Sequence, residues 1–207
     1  MSARIQAKHK VSRRLGVNLW GSPKSSFNVR PTRPGQHGKS FKKRKISSYG
    51  LHLAEKQKVQ FYYAMKEKQF RLFFKKAYYS KKNVSDEFIG MLESRLDIFV
   101  YRAKWAPTIF AAKQMIKHRH VLVNGQLVSI NSYLLAPDDV ITLKEEVKHY
   151  KVVKESMTRQ DKEIPGYYES MDEGMTMKFL KVPAIEEVPY PYSLNMNLIV
   201  EYYSRKM

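Results

Sequence analysis

A turn signal between two short apolar runs constrains the fold of this chain more than any other local feature. Asn124 and Gly125 separate Val121–Val123 from Leu127–Ile130, and both turn residues tolerate the positive φ that a tight hairpin requires. A proline and aspartate turn then leads into a third apolar run, which ends at Leu143. The pattern predicts a small sheet, antiparallel or mixed, that contains no obvious nucleophile, base or metal-ligand cluster.

Helical patterns precede this hairpin. The segment DEFIGMLESRLDIFVYRAKW is predicted to form one helix, which Ser85 can cap and which ends near Trp105. Asp86 and Glu87 in its first turn match the positive end of the helix dipole. Pro107 suits the first turn of the next helix, PTIFAAKQMIKH, because its missing N–H would have no helical partner there anyway. We therefore expect two helices packed on the small sheet.

A second helical region lies between residues 51 and 82. Its apolar side chains recur at spacings that place them on one helix face, and they are Val59, Tyr63, Phe70, Phe74 and Ala77. A basic set falls on the opposite face, namely Lys68, Arg71, Lys75 and Lys82. No carboxylates are spaced to pair with these cations, which favours RNA contact for the basic face. We expect Tyr78 and Tyr79 to pack rather than to stack on bases.

The positive charge is concentrated in the first two-fifths of the chain. Residues 1–82 hold 22 Lys and Arg against two acids, a net +20, whereas residues 83–207 hold 16 against 17, a net −1. A basic arm on a balanced body is typical of phosphate binding. The charge predicts a polyanionic partner, nucleic acid before membrane, and no stretch approaches the roughly 20 apolar residues of a membrane-spanning helix.

The basic arm is predicted to contain a short helix and a long loop. Ala3 to Leu15 can form a helix that Gly16 stops, and residues 17–48 are rich in Gly, Pro, Ser and Asn without a periodic pattern. A loop of about 30 residues is unusual unless it is functional or ordered by a partner. Its fragments RPTRPGQHG and KKRK can present basic groups along a phosphate chain. The first 15 residues carry no clear cleavage signal, so we expect them in the mature chain.

Weaker signals occupy the C-terminal third. The fragment IPGYYESMDEGMTMKFLKVP predicts two short strands around Gly174, and EEVPYPY predicts a proline-braced loop. The fragment NLIVEYYS is apolar enough to dock on the first helical domain.

Several fragments resemble the S-four family of small-subunit ribosomal proteins. ESRLDIFVYR, VLVNGQLVSINSY and DDVI resemble the RNA-binding module named after that family. SRRLG, RPGQHG, YGLHLAEKQK, KQFR and LIVEYYS resemble the bacterial-type family members themselves, and the matches occur in the family's order across nearly the whole chain. The resemblance implies an α+β fold. It comprises a helical basic domain, an inserted small RNA-binding module of helices packed on a short antiparallel or mixed sheet, and an extended basic N-terminal arm.

The resemblance also implies an organisation and a role. The expected divisions are an arm and loop over residues 1–48, a helical domain over 49–92 joined by 190–207, and the module with its C-terminal extension over 93–189. Family members are structural constituents of the small ribosomal subunit that bind the 5′ domain of its rRNA and nucleate assembly. They also lie where mRNA enters and influence decoding fidelity, and some bacterial members repress their own message.

The same resemblance sets the expected partners and location. The partners are small-subunit rRNA, neighbouring small-subunit ribosomal proteins and mRNA where it enters, with no membrane. No cofactor or metal is predicted for this chain. APTIFAA and VPYPY look like the alphaproteobacterial branch, which includes the ancestors of mitochondria. The expected location is therefore a small ribosomal subunit, in either the bacterial cytoplasm or the mitochondrial matrix.

Predicted RNA-binding residues come from the resemblance and from the charge pattern. Those carried over by position are Arg13, Arg14, Arg33, Gln36, His37, Tyr49, Lys56, Lys58, Gln69, Arg71, Lys117 and Asn124. The charge pattern adds Arg30, Lys42, Lys43, Arg44, Lys45, Lys68, Lys113 and Arg119.

The sequence departs from the family in two places. Many members carry four cysteines in the N-terminal loop that hold zinc, and this chain has no cysteine at all. The arm must then be ordered by RNA or by its prolines, or not at all. Ile109 stands where the family usually has arginine, which puts one RNA contact of the module in question.

Other functions were weighed against the ribosomal one. SRLD, Ser94 to Asp97, resembles a pseudouridine synthase motif with a catalytic aspartate. Too little sequence remains for a separate catalytic domain, so the chain is predicted not to be an enzyme. A free assembly or rescue factor is the closer alternative, and it would exchange on and off mature subunits. His118 and His120 lie two residues apart without thiolates or a placed carboxylate, so no metal site is predicted.

Overall fold

A computed structural model describes residues 7–38, 46–158 and 163–205 of the 207-residue chain. The predicted run Lys42–Lys45 and the first residues of the predicted N-terminal helix lie outside the described residues. The chain forms two compact units, Met1–Lys75 with Tyr190–Met207, and Lys76–Pro189. The sequence-based divisions 1–48, 49–92 with 190–207, and 93–189 stay a prediction.

The described residues contain ten α-helices and five strands. The helices are α1 Lys8–Leu15, α2 Ser26–Val29, α3 Ser48–Tyr62, α4 Glu67–Tyr78, α5 Val84–Glu93, α6 Leu96–Arg102, α7 Ile109–Lys117, α8 Glu145–Lys148, α9 Lys151–Met157 and α10 Met196–Ser204. The strands are β1 Val121–Val123, β2 Gln126–Leu127, β3 Val140–Leu143, β4 Tyr168–Met171 and β5 Thr176–Phe179. Two short 3₁₀ turns cover Asp172–Gly174 and Ile185–Glu187.

The first unit is helical. α1 ends at Gly16, whose φ of 71° is left-handed and whose N–H bonds to the Ser12 carbonyl, as the sequence predicts. α3 begins after Ser47, whose hydroxyl accepts from the Gly50 N–H. The one-turn helix α2 was not predicted from the sequence, and its N-cap Ser25 accepts from Phe27 N–H.

The core of the first unit forms where α10 packs on α3, as predicted for the C-terminal apolar fragment. The ring of Tyr203 on α10 stacks on Phe74, with 4.6 Å between centroids. Tyr62 and Tyr63 pack edge to face with Tyr190 from the proline-braced loop. The five apolar side chains predicted to share one face are all fully buried, namely Val59, Tyr63, Phe70, Phe74 and Ala77.

The second unit contains one antiparallel sheet in the order β2-β1-β3-β5-β4. The predicted hairpin turn is confirmed: Asn124 and Gly125 have φ of 50° and 78°, which matches a type I′ turn. Leu122 pairs with Leu127 on one side and with Thr142 on the other. The two strands predicted around Gly174 are β4 and β5. The α+β class predicted from the sequence is confirmed.

Two helix predictions in this unit were wrong in detail. The segment predicted as one helix is divided into α5 and α6, because Arg95 is extended and forms a bridge with Leu134. Leu96 N–H then bonds to the Tyr133 carbonyl, and Leu135 N–H to the Ser94 carbonyl. Pairing with a distant loop therefore replaces the helical bonds at this point.

The N-caps also differ from the predicted ones. Asn83, not Ser85, caps α5, and its side chain accepts from the Ser85 N–H. Thr108 caps α7 by accepting from the Ala111 N–H, so Pro107 precedes the cap instead of lying in the first turn. The cap of α5 therefore lies two residues earlier than predicted, and the cap of α7 lies one residue after Pro107.

Among the described residues, no helix combines the length and apolar character needed to cross a membrane.

Candidate nucleic-acid interface

A basic groove lies beside α1 in the first unit. Its volume is about 580 Å³, and its lining includes Arg13, Val29, Arg30, Pro31, Arg33 and Gln36. Four of the predicted RNA-binding residues therefore meet at one place, and the structure brings them together across about 20 residues of sequence. Arg30, Arg33 and Gln36 are exposed, so their polar groups are accessible to a ligand.

Arg13 fixes the loop that forms this groove. Its Nε donates to the Thr32 carbonyl at 2.9 Å, and its Nη2 lies 3.3 Å from the Arg33 carbonyl. The loop also turns tightly, because Gly38 N–H bonds to the Gly35 carbonyl and Gly35 has a φ of 108°. A Cβ on Gly38 would lie 1.9 Å from the Arg33 carbonyl oxygen, so only glycine fits there. Residues 30–38 thus make internal contacts that involve no cysteine ligands.

The other predicted residues of the first unit differ in how available they are. Tyr49, Lys68 and Arg71 are exposed, and Gln69 is half-buried. Arg14 is also exposed, and its guanidinium lies 5.8 Å from the centre of the Phe61 ring and 3.4 Å from the Gln57 side-chain oxygen. His37 is exposed at the end of the groove loop. These side chains can meet a phosphate without breaking the fold.

Two predicted lysines of α3 face carboxylates. Lys56 is only 5% exposed and pairs with Glu67 of α4, while Lys58 pairs with Glu55 one turn away. The Tyr203 hydroxyl also donates to Glu67, at 2.9 Å, and burial together with this carboxylate raises the pKa of Tyr203 well above its ordinary value. Lys56 therefore belongs to the packing between α3, α4 and α10. Lys56 lies three residues before the buried Val59 on α3, and this spacing indicates a side chain on the core-facing side of the helix.

The second unit buries a charge cluster under its predicted interface. Arg95 donates two hydrogen bonds to Asp97, at 3.0 and 2.8 Å, and Lys113 Nζ lies 3.4 Å from the same carboxylate. Asp97 is fully buried and Lys113 is 6% exposed. Burial lowers the pKa of Lys113, and the nearby carboxylate of Asp97 only partly offsets this. Lys113 is four residues after Ile109, which places it on the apolar face of α7.

A further buried network holds the end of α5. Arg102 forms a two-point pair with Glu93, at 3.1 and 2.9 Å, and also donates to the Pro189 carbonyl. The Tyr167 hydroxyl donates to Glu93 at 3.0 Å, and burial beside this carboxylate raises the pKa of Tyr167. These partners all lie inside the second unit, and Glu93 is fully buried, so this network stabilises the unit.

Two accessible cations of the second unit lie where α7 meets the sheet. Lys117 and Arg119 are exposed, and Arg119 has a φ of 60°. The side chain of Asn124 is used within the turn, because its oxygen accepts from Val140 N–H and its nitrogen donates to Asp139. Four RNA-binding residues were predicted in this unit. Lys117 and Arg119 present charge at the surface, Lys113 is buried, and Asn124 stabilises the hairpin turn.

Two histidines flank these cations. The rings of His118 and His120 lie edge to face at 5.8 Å, and Tyr150 packs against His120 at 5.9 Å. Partial burial, His118 and Lys144 together lower the pKa of His120. Within the part of the chain that the structure describes, no three metal-binding side chains of the His, Cys, Asp or Glu type come together.

Sequence reasoning missed some surface features. Val29 is 79% exposed in the groove, and the Ser25 N-cap signal before it marked the helix that presents it. Tyr78 and Tyr79 were expected to pack, and their rings do pack on each other, edge to face at 5.6 Å. Tyr78 is 40% exposed and Tyr79 69% exposed, because both follow Ala77 at the end of α4, beyond the buried stripe.

Comparison with known proteins agrees with this architecture. The family model described as the ribosomal protein S4/S9 N-terminal domain matches residues 4–93, and the S4 domain model matches residues 94–141. The chain is 47% identical to small ribosomal subunit protein uS4 of Rickettsia massiliae (strain Mtu5) over 206 residues, which is 99% of this chain and 100% of that protein. It is 46% identical to the proteins of the same name from Rickettsia prowazekii and Rhizobium meliloti, with equal coverage.

The fold and these matches define a ribosomal protein with an S4 RNA-binding domain. The chain belongs to the small ribosomal subunit protein uS4 family. The S-four resemblance, including its alphaproteobacterial character, is thereby confirmed. The family is a structural, non-enzymatic one, so the prediction that the chain is not an enzyme is confirmed by membership.

Proposed function

We propose that this chain is a structural constituent of the small ribosomal subunit that binds the 5′ domain of the subunit rRNA directly and nucleates assembly. The observation that carries the proposal is the groove beside α1, where Arg13, Arg30 and Arg33 converge in a region of strong positive charge. RNA duplexes are recognised mainly through phosphates, 2′-hydroxyls and shape. A fixed loop with exposed guanidinium groups suits that kind of recognition.

The contact set follows from exposure. Direct contact is proposed for the predicted side chains that reach the surface, which are Arg14, Arg30, Arg33, Gln36, His37, Tyr49, Lys68, Gln69, Arg71, Lys117 and Arg119. Arg13 is assigned to positioning, because its guanidinium binds the Thr32 and Arg33 carbonyls. The tetrabasic run Lys42–Lys45 is proposed on charge alone. We assign Lys56, Lys58, Lys113 and Asn124 to positioning, because their polar groups bind within their own unit.

Two finer roles rest on family membership. The chain is proposed to lie where mRNA enters the small subunit and to influence decoding fidelity. Photoactivatable nucleotides placed downstream of the decoding site in mRNA should crosslink to this chain in reconstituted initiation complexes. Crosslinks to other proteins alone would remove this part of the proposal. The compared relatives come from bacteria, which favours a bacterial ribosome over a mitochondrial one.

The rRNA assignment is tested by filter binding at several salt concentrations. The full chain is titrated against 5′-domain rRNA and an unrelated RNA of equal length. Log affinity falls linearly with log salt in proportion to the number of phosphates that are neutralised. We expect a preference for 5′-domain rRNA that persists as salt rises. Equal affinity for both RNAs at every salt concentration would contradict the proposal and indicate nonspecific phosphate binding.

A further inference from the structure

The groove beside α1 combines two kinds of surface. Its lining includes Arg30 and Arg33, whose guanidinium groups suit a phosphate. The lining also includes Val29, which is 79% exposed, and Pro31. A surface that only followed a phosphate backbone would need the cations and not the apolar residues. The mixture therefore matches a ligand that is anionic at one end and flat and apolar at the other.

Gln36 adds a group that can read a base edge. A glutamine amide offers both a donor and an acceptor, and Gln36 is exposed at the groove. Unpaired RNA bases are recognised in this way, by contact on their faces and by hydrogen bonds on their edges. No such read-out is open to a base that remains inside an A-form helix, whose major groove is too narrow for side chains.

The size and rigidity of the groove fit a single residue of RNA. Its volume of about 580 Å³ lies within the range of sites for one small ligand. The three contacts from Arg13 to residues 32 and 33 and the tight turn at Gly38 hold its walls before any ligand arrives. A preformed site loses less conformational entropy on binding.

We infer that this groove holds one unpaired nucleotide of the rRNA, with its phosphate at Arg30 and Arg33 and its base against Val29, Pro31 and Gln36. The inference rests on the proposed function, because it specifies which part of the rRNA the first unit binds. Arg13 is a positioning residue in this arrangement.

The absence of cysteine from the chain allows a direct test. A short photoactivatable crosslinker is attached to Val29→Cys in the full chain bound to 5′-domain rRNA, and the crosslinked nucleotide is mapped by reverse transcription. Ser22→Cys, exposed in the same loop, is the matched control. We expect Val29→Cys to react mainly at one unpaired nucleotide that Ser22→Cys does not reach. Crosslinks spread over paired nucleotides, or identical for both variants, would overturn the inference.

A binding measurement separates base recognition from phosphate contact. Gln36→Ala should weaken rRNA binding roughly threefold to tenfold, the effect of one hydrogen bond, without changing the salt slope because no charge is removed. An rRNA that lacks the base of the mapped nucleotide should bind the unaltered chain more weakly. The same base removal should have a smaller effect on binding of the Gln36→Ala variant, because the binding energies of two groups that contact each other are not additive. Additive effects, or no effect of Gln36→Ala, would overturn the inference.

The outcomes distinguish this inference from the proposed function. If the unaltered chain prefers 5′-domain rRNA but the crosslink and the Gln36 effect are missing, only the nucleotide site fails. If the chain shows no preference for that RNA, the proposed function itself fails. A free nucleotide has the same chemistry, so the crosslink is repeated with millimolar mixed nucleoside monophosphates. Loss of the crosslink while rRNA stays bound would assign the groove to free nucleotides and overturn the RNA assignment.

Discussion

The two units use the same charged residue types in opposite ways. Around the groove of the first unit, Arg30 and Arg33 are exposed, and no carboxylate lines the groove among the described residues. In the second unit, Arg95 and Arg102 are almost fully buried, and each forms a two-point pair with a carboxylate. Net charge alone therefore does not identify an RNA-binding residue. Exposure and pairing decide whether a cation binds a ligand or stabilises the fold.

Removal of the carboxylate shared by Arg95 and Lys113 should have the largest effect on stability. Asp97→Ala leaves two cations buried without it, so we expect a loss of about 3–5 kcal/mol of stability and a fall in unfolding midpoint of roughly 10 °C. Thermal unfolding followed by circular dichroism measures this. Asp138→Asn, which alters an exposed pair with Lys178, should leave the midpoint nearly unchanged. An Asp97 variant as stable as this control would contradict the structural role of the cluster.

The Glu93 network should respond less strongly. Tyr167→Phe removes one buried hydroxyl donor but leaves the Arg102 pair, so the expected cost is about 1–2 kcal/mol in urea unfolding. Burial raises the pKa of Tyr167, so the folded state disfavours its ionised form. The stability that the hydroxyl contributes is therefore full below pH 10 and decreases above it, as tyrosine ionises in the unfolded chain. A stability difference between the unaltered chain and the Tyr167→Phe variant that grows above pH 10 would contradict this expectation.

The first unit can be tested through its loop geometry without removing a charge. Gly38→Ala forces the Arg33 carbonyl to move, and we expect rRNA affinity to fall roughly tenfold, as for one lost charge-assisted contact. Gly166→Ala is the matched control, since its added Cβ would meet no atom within 4 Å. Filter binding measures both variants. Equal affinities would show that the loop shape is not needed for RNA binding.

The smallest effect on stability is expected for a substitution on α7. Lys113→Met keeps the Arg95–Asp97 pair, and we expect stability at pH 7 to be unchanged or higher by up to about 1 kcal/mol. Burial lowers the pKa of Lys113, so its charged form is costly in the fold. That cost is present at neutral pH and fades as pH rises towards 10.5, the ordinary value in the unfolded chain. The stability difference in urea unfolding should therefore shrink near pH 10.

Lys117→Met is the control on the same helix, because Lys117 is exposed. This variant should keep its stability and make the salt slope of rRNA binding less steep by about one. Lys113→Met should leave the slope unchanged. A reversed pattern, with the slope changed only by Lys113→Met, would show that Lys113 contacts RNA despite its burial.

Local signals predicted much of the fold. The Asn124–Gly125 turn, the Gly16 stop and the buried stripe of the second helical region all depend on residues close in sequence, and all are confirmed. The break between α5 and α6 was not predicted, because it depends on Leu96 N–H bonding to a carbonyl 37 residues away. No local pattern contains that information.

The candidate site was predicted less completely for a related reason. The convergence of Arg13 with Arg30, Arg33 and Gln36 depends on how the loop folds back on α1, which spacing alone does not show. The positions of Lys56 and Lys113 could have been recognised, since each lies three residues before a buried apolar residue of its own helix. At those two positions the helix face, and not the charge, indicates where the side chain lies.

The RNA-binding role of the groove arginines is measured by the salt dependence of 5′-domain rRNA binding, compared between the Arg30→Ala/Arg33→Ala double variant and the unaltered chain. Each exposed cation that neutralises a phosphate contributes about one to the slope of log affinity against log salt. The account predicts a slope less steep by about two, weaker binding at low salt, and an unchanged unfolding midpoint. An unchanged slope with a lowered midpoint would contradict it, because the groove arginines would then serve the fold and not the RNA.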